Sequence, residues 1–187
     1  MSTNAEQFTY WNEVGGPKWV RYQAMLDRQM IAVGAATMDA ARLEAGDAVL
    51  DVGCGCGSTT LAIARRLGAS GRCTGIDISR PMLALARERA RAAGLDNVTF
   101  VHEDAQTCEL RPQFDVLFSR FGLMFFDDPV RAFSNLHRAM RGGARLAFVC
   151  WQPLHRNQPR QFPLHCFADS VAVPRCKPVQ HQLLDVQ

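Results

Sequence analysis

The feature that most restricts the fold is an apolar run that ends in a glycine-rich turn, VLDVGCGCGS at positions 49–58. The residues before the first glycine have the composition of a buried strand, and the residues after the last glycine have helical spacing. Gly53, Gly55 and Gly57 lack Cβ atoms, so the backbone between strand and helix can bend sharply and approach a ligand closely. The segment therefore predicts a strand, a ligand-binding turn and a helix whose free N–H groups face the same ligand.

Strand and helix signals alternate through the middle of the chain. We expect strands at 48–52, 72–76, 98–102, 114–119 and 145–151, with helices over 58–67, from 79 to about 93, and over the stretch before 142. Ser79 is expected to cap the second helix, and Gly142-Gly143 to end the third. The apolar positions of that third helix are Val130, Phe133, Leu136 and Met140. Such alternation predicts a parallel sheet with helices on both faces.

The chain divides into three regions: an N-terminal helical segment at 1–46, a ligand-binding core at 47–151 and an irregular tail at 152–187. A helix is expected from Lys18 to about Arg42, with an apolar stripe of Trp19, Tyr22, Leu26, Met30 and Val33. This helix is expected to pack over the sheet, to cover a ligand as a lid, or to do both. The tail is rich in proline and has neither a strand period nor a helix period.

Composition excludes several classes of protein. A length of 187 residues suffices for one domain with one core, and a net charge of +3 without a basic patch argues against a nucleic-acid partner. There is no apolar run long enough for a membrane span and no signal-peptide core, so a cytoplasmic location is expected. Seven cysteines without zinc spacing predict buried or loop thiols rather than a metal site or a disulfide framework. The sequence leaves open whether the chain forms a homo-oligomer.

Two acidic residues help to identify the ligand of the glycine turn. Asp77 ends the second expected strand about 20 residues after the last glycine, the position at which an acid meets ribose hydroxyls. Asp51 lies just before the first glycine, where it would repel a pyrophosphate but suit the ammonium of a methionine moiety. The turn also reads G-x-G-x-G, whereas dinucleotide sites read G-x-G-x-x-G. The pattern favours S-adenosyl-L-methionine and disfavours an NAD-dependent oxidoreductase.

Five segments, in order along the chain, resemble the motifs of class I S-adenosylmethionine-dependent methyltransferases. They are DVGCGCG at 51–57, GIDIS at 75–79, HEDAQ at 102–106, FDVLFSRFGLMFF at 114–126 and RGGARLAF at 141–148. The subgroup that the chain resembles most contains small-molecule enzymes related to ubiquinone and menaquinone biosynthesis. The segment YWN at 10–12, with Trp19, is similar to the N-terminal part of that subgroup, where an aromatic residue covers the cofactor.

The resemblance implies a Rossmann-like, doubly wound α/β fold and methyl transfer from S-adenosyl-L-methionine to a small-molecule acceptor by in-line displacement. The implied cofactor-binding residues are Asp51, Gly53, Cys54, Gly55 and Gly57 at the methionine part, Asp77, Ile78 and Met82 at the ribose and adenine, Asp104 and Ala105 at the adenine, Ser119, Arg120 and Phe121 at the reaction centre, and Trp11 as the cover. The aromatic cluster at 121–126 fits core packing and a substrate wall equally well. His102, His137 and His155 are candidate bases, of which His102 is expected to lie nearest the ligand, but none belongs to a recognisable catalytic arrangement and no catalytic residue is assigned. No metal ligand is predicted, because no His or Cys pair repeats with zinc spacing.

The C-terminal part departs from the family pattern. The family sheet has seven strands, of which the last two form an antiparallel hairpin, and residues 152–187 are too few and too rich in proline for that hairpin. We therefore expect about five parallel strands, no hairpin, and a fifth strand that is an exposed edge. A truncated or non-catalytic S-adenosylmethionine-binding protein is the alternative interpretation.

Overall fold

A computed structural model describes residues 4–151 and shows a single five-stranded parallel sheet flanked by helices. The strands are β1 (Ala48–Val52), β2 (Arg72–Asp77), β3 (Val98–His102), β4 (Phe114–Arg120) and β5 (Met140–Val149). The helices are α1 (Ala5–Glu13), α2 (Gly15–Ala40), α3 (Ser58–Leu67), α4 (Arg80–Ala92) and α5 (Pro129–Ala139). The prediction of a doubly wound sheet with about five parallel strands is confirmed. The predicted tail, and the predicted absence of a hairpin, lie outside the described residues.

The strand order is β3-β2-β1-β4-β5, and every neighbouring pair is parallel. β1 is the central strand, and all five of its residues are buried, as expected for a strand covered on both faces. The chain winds outward from β1 to β3 and then returns to the other side of β1 with β4. This reversal opens a crevice at the carboxyl ends of β1 and β4, the place where such sheets bind ligands.

The core consists of two layers, one on each face of the sheet. Alternation along β1 sends Val49 to one layer and Leu50 to the other. The first layer contains residues of α2 and α3, such as Ile63, which is fully buried. The second contains residues of α5, such as Leu136. The sheet is therefore held rigid from both sides, which fixes the positions of the loops at its carboxyl edge.

The junction between α5 and β5 differs from the prediction. The helix ends at Ala139, before the Gly142-Gly143 pair that was expected to end it, and the strand runs from Met140 to Val149 instead of from 145 to 151. Met140 pairs with Phe114, after which the register shifts and pairing resumes at Arg145. The glycine pair therefore belongs to an irregular part of the strand, because pairing with β4 outweighs the local tendency of glycine to end a helix.

Two predicted apolar stripes are only partly buried. On α5, Leu136 is buried as predicted, whereas Val130 is 78% exposed and Phe133 is 36% exposed. The other buried positions of this helix are Ala132, Asn135 and Ala139. On α2, Leu26 and Met30 are buried as predicted, whereas Tyr22 is 47% exposed. Helical spacing identifies a stripe along a helix, but the angle at which the helix meets the sheet decides which edge of the stripe is covered.

Within residues 4–151, β5 is the outermost strand on its side of the sheet. Whether it is an exposed edge, as predicted, depends on residues 152–187, which lie outside the described part of the chain. Its side chains Leu146 and Phe148 are 53% and 46% exposed. None of the helices in residues 4–151 has both the length and the apolar character needed to cross a bilayer.

Candidate functional site

The glycine turn between β1 and α3 is the centre of the candidate site. Gly53, Gly55 and Gly57 all have positive φ angles, of 69°, 54° and 79°. The N–H groups of Gly53 and Cys54 donate to the carbonyl oxygen of Ile76, which holds the turn against β2. A Cβ on Gly53 would lie only 2.5 Å from the Cα of Gly122, in the loop after β4. Glycine is required at position 53 both by its backbone angle and by this close approach.

Asp51 is a fully buried acid at the end of β1. Its Oδ2 accepts hydrogen bonds from the hydroxyls of Thr59 and Thr60, both at 2.7 Å. Its Oδ1 has no hydrogen-bond partner among residues 4–151. Burial raises the pKa of Asp51 to about 6, against the lowering effect of the two threonines and of Arg120. A buried carboxylate oxygen without a donor is a strong acceptor for a cationic N–H group.

Asp77, at the end of β2, joins the glycine turn to the next loop. Its Oδ2 accepts from the N–H of Gly55 and its Oδ1 from the N–H of Ser79, both at 2.8 Å. Burial raises the pKa of Asp77, while the backbone N–H groups of Ser79, Gly55 and Ile78 lower it. Each carboxylate oxygen has further lone-pair capacity, so the group can also accept from hydroxyls such as those of a ribose.

Asp104, just after β3, brings a third acid to the same edge of the sheet. Its Oδ1 accepts from the N–H of Gln106 at 2.9 Å, whereas its buried Oδ2 has no partner in the described part of the chain. The neighbouring residue, Ala105, is buried and its carbonyl accepts from the Asn135 amide at 3.0 Å. The free carboxylate oxygen suits an amino donor such as that of adenine.

Cys54 and Met82 pack closely around the turn. The Cys54 sulfur lies 2.8 Å from where a Cβ on Gly75 would be, so the thiol packs against β2, and burial raises its pKa well above the ordinary range. The Met82 methyl carbon lies 2.6 Å from where a Cβ on Gly55 would be. The structure thus places both residues at the predicted site, with Cys54 as an inert packing group rather than a reactive thiol.

The end of β4 supplies three predicted site residues. The Ser119 hydroxyl donates to the Val52 carbonyl at 2.7 Å and so holds β4 to β1. Arg120 is partly buried, which lowers the pKa of its guanidinium, while Asp27 and Asp51 raise it. Phe121 has a φ of 65°, unusual for a bulky residue, and its ring stacks on Trp151 with centroids 4.4 Å apart. Backbone strain of this kind is found mostly at functional sites.

Trp11, near the end of α1, belongs to an aromatic cluster beside the crevice. Its ring centroid lies 5.2 Å from that of Phe125 and 6.1 Å from that of Trp19. The Ser79 hydroxyl donates to the Trp11 carbonyl at 2.7 Å. The prediction that the Ser79 side chain caps α4 is therefore wrong. Its hydroxyl is hydrogen-bonded to a carbonyl of α1 and makes no bond to the N–H groups in the first turn of α4.

Several contributing residues were not identified from the sequence. Thr59 and Thr60 satisfy one oxygen of Asp51, and Arg89 binds the turn from α4, donating to the Cys56 carbonyl at 2.6 Å and pairing with Asp27 of α2 at 2.8 Å. Threonines that directly follow a glycine turn could have suggested the first contact. The pair between α4 and α2 has no sequence signal, because its partners are far apart in the chain.

The histidines form no catalytic group in the described residues. His102 lies 3.0 Å from the Ile78 carbonyl, so its ring is near the site but already hydrogen-bonded, and His137 is exposed on α5. His155 lies outside the described residues. Residues 4–151 also contain no cluster of three His, Cys, Asp or Glu side chains that could hold a metal ion.

Comparison with known proteins identifies the family. A model of the methyltransferase domain matches residues 49–143, which include the glycine turn and all three acids. The chain belongs to the methyltransferase domain family. This match confirms, at the level of the family, the prediction that the chain is a class I methyltransferase with S-adenosyl-L-methionine as its cofactor.

Two curated relatives of this methyltransferase domain act on quinones by name. The chain is 31% identical to a 2-phytyl-1,4-naphtoquinone methyltransferase of a Nostoc species, over 69% of this chain and 57% of that protein. It is 32% identical to a demethylmenaquinone methyltransferase of Listeria welshimeri, over 60% of this chain and 48% of that protein. The chain thus spans about half the length of the curated relatives it matches.

Solved structures support the fold. A S-adenosylmethionine-dependent methyltransferase from Aquifex aeolicus superposes with a TM-score of 0.60, over 69% of this chain and 71% of that one. The sequence identity is 24%, so this likeness concerns the architecture of the sheet and helices.

Proposed function

We propose that this chain binds S-adenosyl-L-methionine at the carboxyl ends of β1 to β4 and transfers its methyl group to a small-molecule acceptor of the quinol class. The observation that carries the proposal is the Oδ1 atom of Asp51, which is buried beside the glycine turn and has no donor among the described residues. Leaving such an oxygen without a donor costs about 1–3 kcal/mol. The ammonium group of a methionine moiety would remove that cost.

The residues present fit the three parts of this cofactor. Asp51 and the glycines at 53, 55 and 57 would hold the methionine part, and Asp77 would accept from the ribose hydroxyls. Asp104 would accept from the adenine amino group through its Oδ2, which has no partner within the described range, beside the backbone of Ala105. Ile78 and Met82 would pack against the adenine ring.

The charge of the site supports a cationic ligand over a dinucleotide. Acids end β1 and β2, and a third follows β3, while no lysine or arginine lies in the glycine turn itself. Such a turn repels a pyrophosphate and attracts an ammonium group. The NAD-dependent alternative is therefore disfavoured by the same atoms that favour S-adenosylmethionine.

Methyl transfer requires little chemistry from the protein, because the bound cofactor supplies an activated methyl group on a sulfonium. The task of the chain is to align the acceptor with that methyl group at about 3–3.5 Å. Ser119, Arg120 and Phe121 border the position where the two would meet. We assign no general base, since a base is needed only when the acceptor must lose a proton.

The aromatic residues beside the crevice favour a flat, apolar acceptor. Trp11, Phe125 and the stacked pair of Phe121 and Trp151 offer ring faces and edges on which a planar ring can pack. The names of the two quinone-methylating relatives point to the same chemistry. The cytoplasmic location and the homo-oligomer considered from the sequence stay predictions.

Titration calorimetry with S-adenosylhomocysteine, S-adenosylmethionine and NAD tests the cofactor. We expect binding of the first two and none of NAD, and binding of NAD alone would refute the proposal. Incubation with a radiolabelled methyl donor and a panel of reduced naphthoquinones then tests transfer. Cofactor binding without any product would instead support the non-catalytic alternative.

The Asp77→Ala variant tests the ribose contact. We expect it to weaken S-adenosylhomocysteine binding by about 1–3 kcal/mol, because the ribose hydroxyls would lose their acceptor in the complex. Asp96→Ala is the matched control, since Asp96 is an exposed acid that precedes β3 at the opposite edge of the sheet. If Asp77→Ala binds as tightly as the control, Asp77 is not part of the site.

A further inference from the structure

The side-chain amide of Asn12, at the end of α1, bridges the loop between β2 and α4. Its Nδ2 donates to the Ile78 carbonyl at 2.8 Å, and its Oδ1 accepts from the N–H of Arg80 at 3.0 Å. The Nδ2 also donates to the Phe8 carbonyl within α1 at 2.7 Å. The amide thus donates and accepts at once, so one side chain fixes both ends of the 78–80 loop.

A second contact joins the same two segments. Between the loop residues that Asn12 binds, Ser79 donates its hydroxyl to the Trp11 carbonyl at 2.7 Å. The junction of α1 and α2 fits closely against both groups, since a Cβ on Gly16 would lie 2.4 Å from the Ser79 oxygen and 2.1 Å from the Trp11 oxygen. The position of the Trp11 backbone is therefore set by the loop after β2.

That loop is also the one attached to the proposed cofactor residues. Ser79 donates its N–H to Asp77, and Asp77 accepts in turn from Gly55 of the glycine turn. Hydrogen bonds therefore tie Asn12 to Ile78 and Arg80 of this loop, and Ser79 between them to the proposed ribose acid. At the other end, the ring of Trp11 packs against Phe125 beside the crevice.

We infer that Asn12 is a positioning residue that couples the cofactor site to the aromatic cover formed by Trp11. The inference rests on the proposed function, since it names how one part of that site is held. A cofactor that orders the 78–80 loop strengthens the hydrogen bonds between Asn12 and that loop, and so keeps Trp11 over the crevice. Because such coupling is reciprocal, the hydrogen bonds of Asn12 to the loop also strengthen cofactor binding.

A double-mutant cycle on S-adenosylhomocysteine affinity, measured by calorimetry on the full chain, tests the coupling. We expect Asn12→Ala to lower affinity about tenfold in the wild-type background but less than about twofold in a Trp11→Ala background, because the residue acts through Trp11. Thr9→Ala, an exposed change on the same helix, is expected to leave affinity unchanged. Equal losses in both backgrounds, or no loss in the wild type, would overturn the inference.

A spectroscopic measurement separates positioning from a general loss of structure. The chain has three tryptophans, so changing Trp19 and Trp151 to Phe leaves Trp11 as the sole reporter. We expect S-adenosylhomocysteine to shield Trp11 from acrylamide quenching, and Asn12→Ala to abolish that shielding at saturating ligand. Shielding that persists in the variant overturns the inference.

Two milder variants keep the test decisive if Asn12→Ala does not fold. Asn12→Asp retains the acceptor for Arg80 and loses the donor to Ile78, and Ser79→Ala removes only the contact to the Trp11 carbonyl. Each is expected to lower affinity and to reduce the shielding of Trp11. Wild-type affinity and shielding in both would overturn the inference. Failure of the wild-type chain to bind S-adenosylhomocysteine would overturn the proposed function itself, whereas binding with unaffected variants overturns only the role of Asn12.

Discussion

At the scale of single residues, Asp51 combines a stability cost with a binding role. Burial raises its pKa from 3.8 to about 6, so the folded protein disfavours the ionised form. Below pH 4 the group is protonated in both the folded and the unfolded state, and stability is lost as the pH rises from about 4 to about 6, because the unfolded state ionises first. At 1.36 kcal/mol for each pKa unit, the loss approaches about 3 kcal/mol at neutral pH. A bound ammonium would offset it.

The first prediction concerns the pH dependence of binding. Between pH 5 and pH 7 the affinity for S-adenosylhomocysteine should rise, because ionised Asp51 is the form that attracts the ligand ammonium. Asp51→Asn should remove this part of the rise and weaken binding at pH 7.5 by about tenfold to a hundredfold. Calorimetry across the pH range measures both effects. An unchanged pH profile in the variant would show that Asp51 does not face the ammonium.

The second prediction separates two reasons why a position requires glycine, a positive φ angle and a lack of space for a Cβ. Gly53 combines a positive φ with a close approach, Gly46 has a positive φ in open space, and Gly142 has neither. Replacement by Ala should cost about 1–2 kcal/mol at Gly46 and less than about 0.5 kcal/mol at Gly142. The cost at Gly53 should exceed both, since a Cβ there displaces Gly122. Urea unfolding measures the series, and equal costs at Gly53 and Gly46 would remove the steric argument.

At the scale of elements, local signals predicted the strands and helices that flank the glycine turn. β1, α3 and β3 have the predicted bounds, because apolar runs and glycine stops act within a few residues. The junction of α5 and β5 was misplaced, because its boundary depends on pairing with β4. The segment 1–46 was predicted to be helical, but a separate helix α1 before Lys18 was not identified. This helix is short and mostly polar, and its position depends on contacts with the distant 78–80 loop.

The third prediction tests which face of α5 supports the fold. Leu136→Ala should lower the free energy of unfolding by about 2–5 kcal/mol, because Leu136 is fully buried in the core beneath the sheet. Val130→Ala on the same helix should change it by less than about 0.5 kcal/mol, since Val130 is 78% exposed. Chemical denaturation of both variants provides the comparison. Similar losses would mean that Val130 also has a buried partner.

At the scale of the whole molecule, the sheet order brings together acids that are far apart in the sequence. Asp51, Asp77 and Asp104 lie near the ends of three neighbouring parallel strands, so all three reach one edge. A ligand that contacts all three would bridge the glycine turn and the loops after β2 and β3. Its binding free energy would then stabilise the domain as a unit.

The fourth prediction follows from this linkage. S-adenosylhomocysteine at 100 times its Kd should stabilise the folded state by about 2.7 kcal/mol. For a domain of this size the melting temperature should rise by about 5–10 °C. Differential scanning fluorimetry checks the shift, with NAD at the same concentration as the control. A rise with NAD and none with S-adenosylhomocysteine would contradict the proposed ligand.

The sequence by itself determined the class of fold, the glycine turn and two strand-end acids, because apolar period, glycine position and acid spacing are local properties of the chain. It also predicted Asp104, Phe121 and Trp11 through resemblance to a family. Only the tertiary structure decided that one oxygen of Asp51 has no donor among residues 4–151, and that Asn12 binds the loop after β2. Both features depend on contacts between residues that are distant in sequence. Such contacts form only when the helices pack around the sheet.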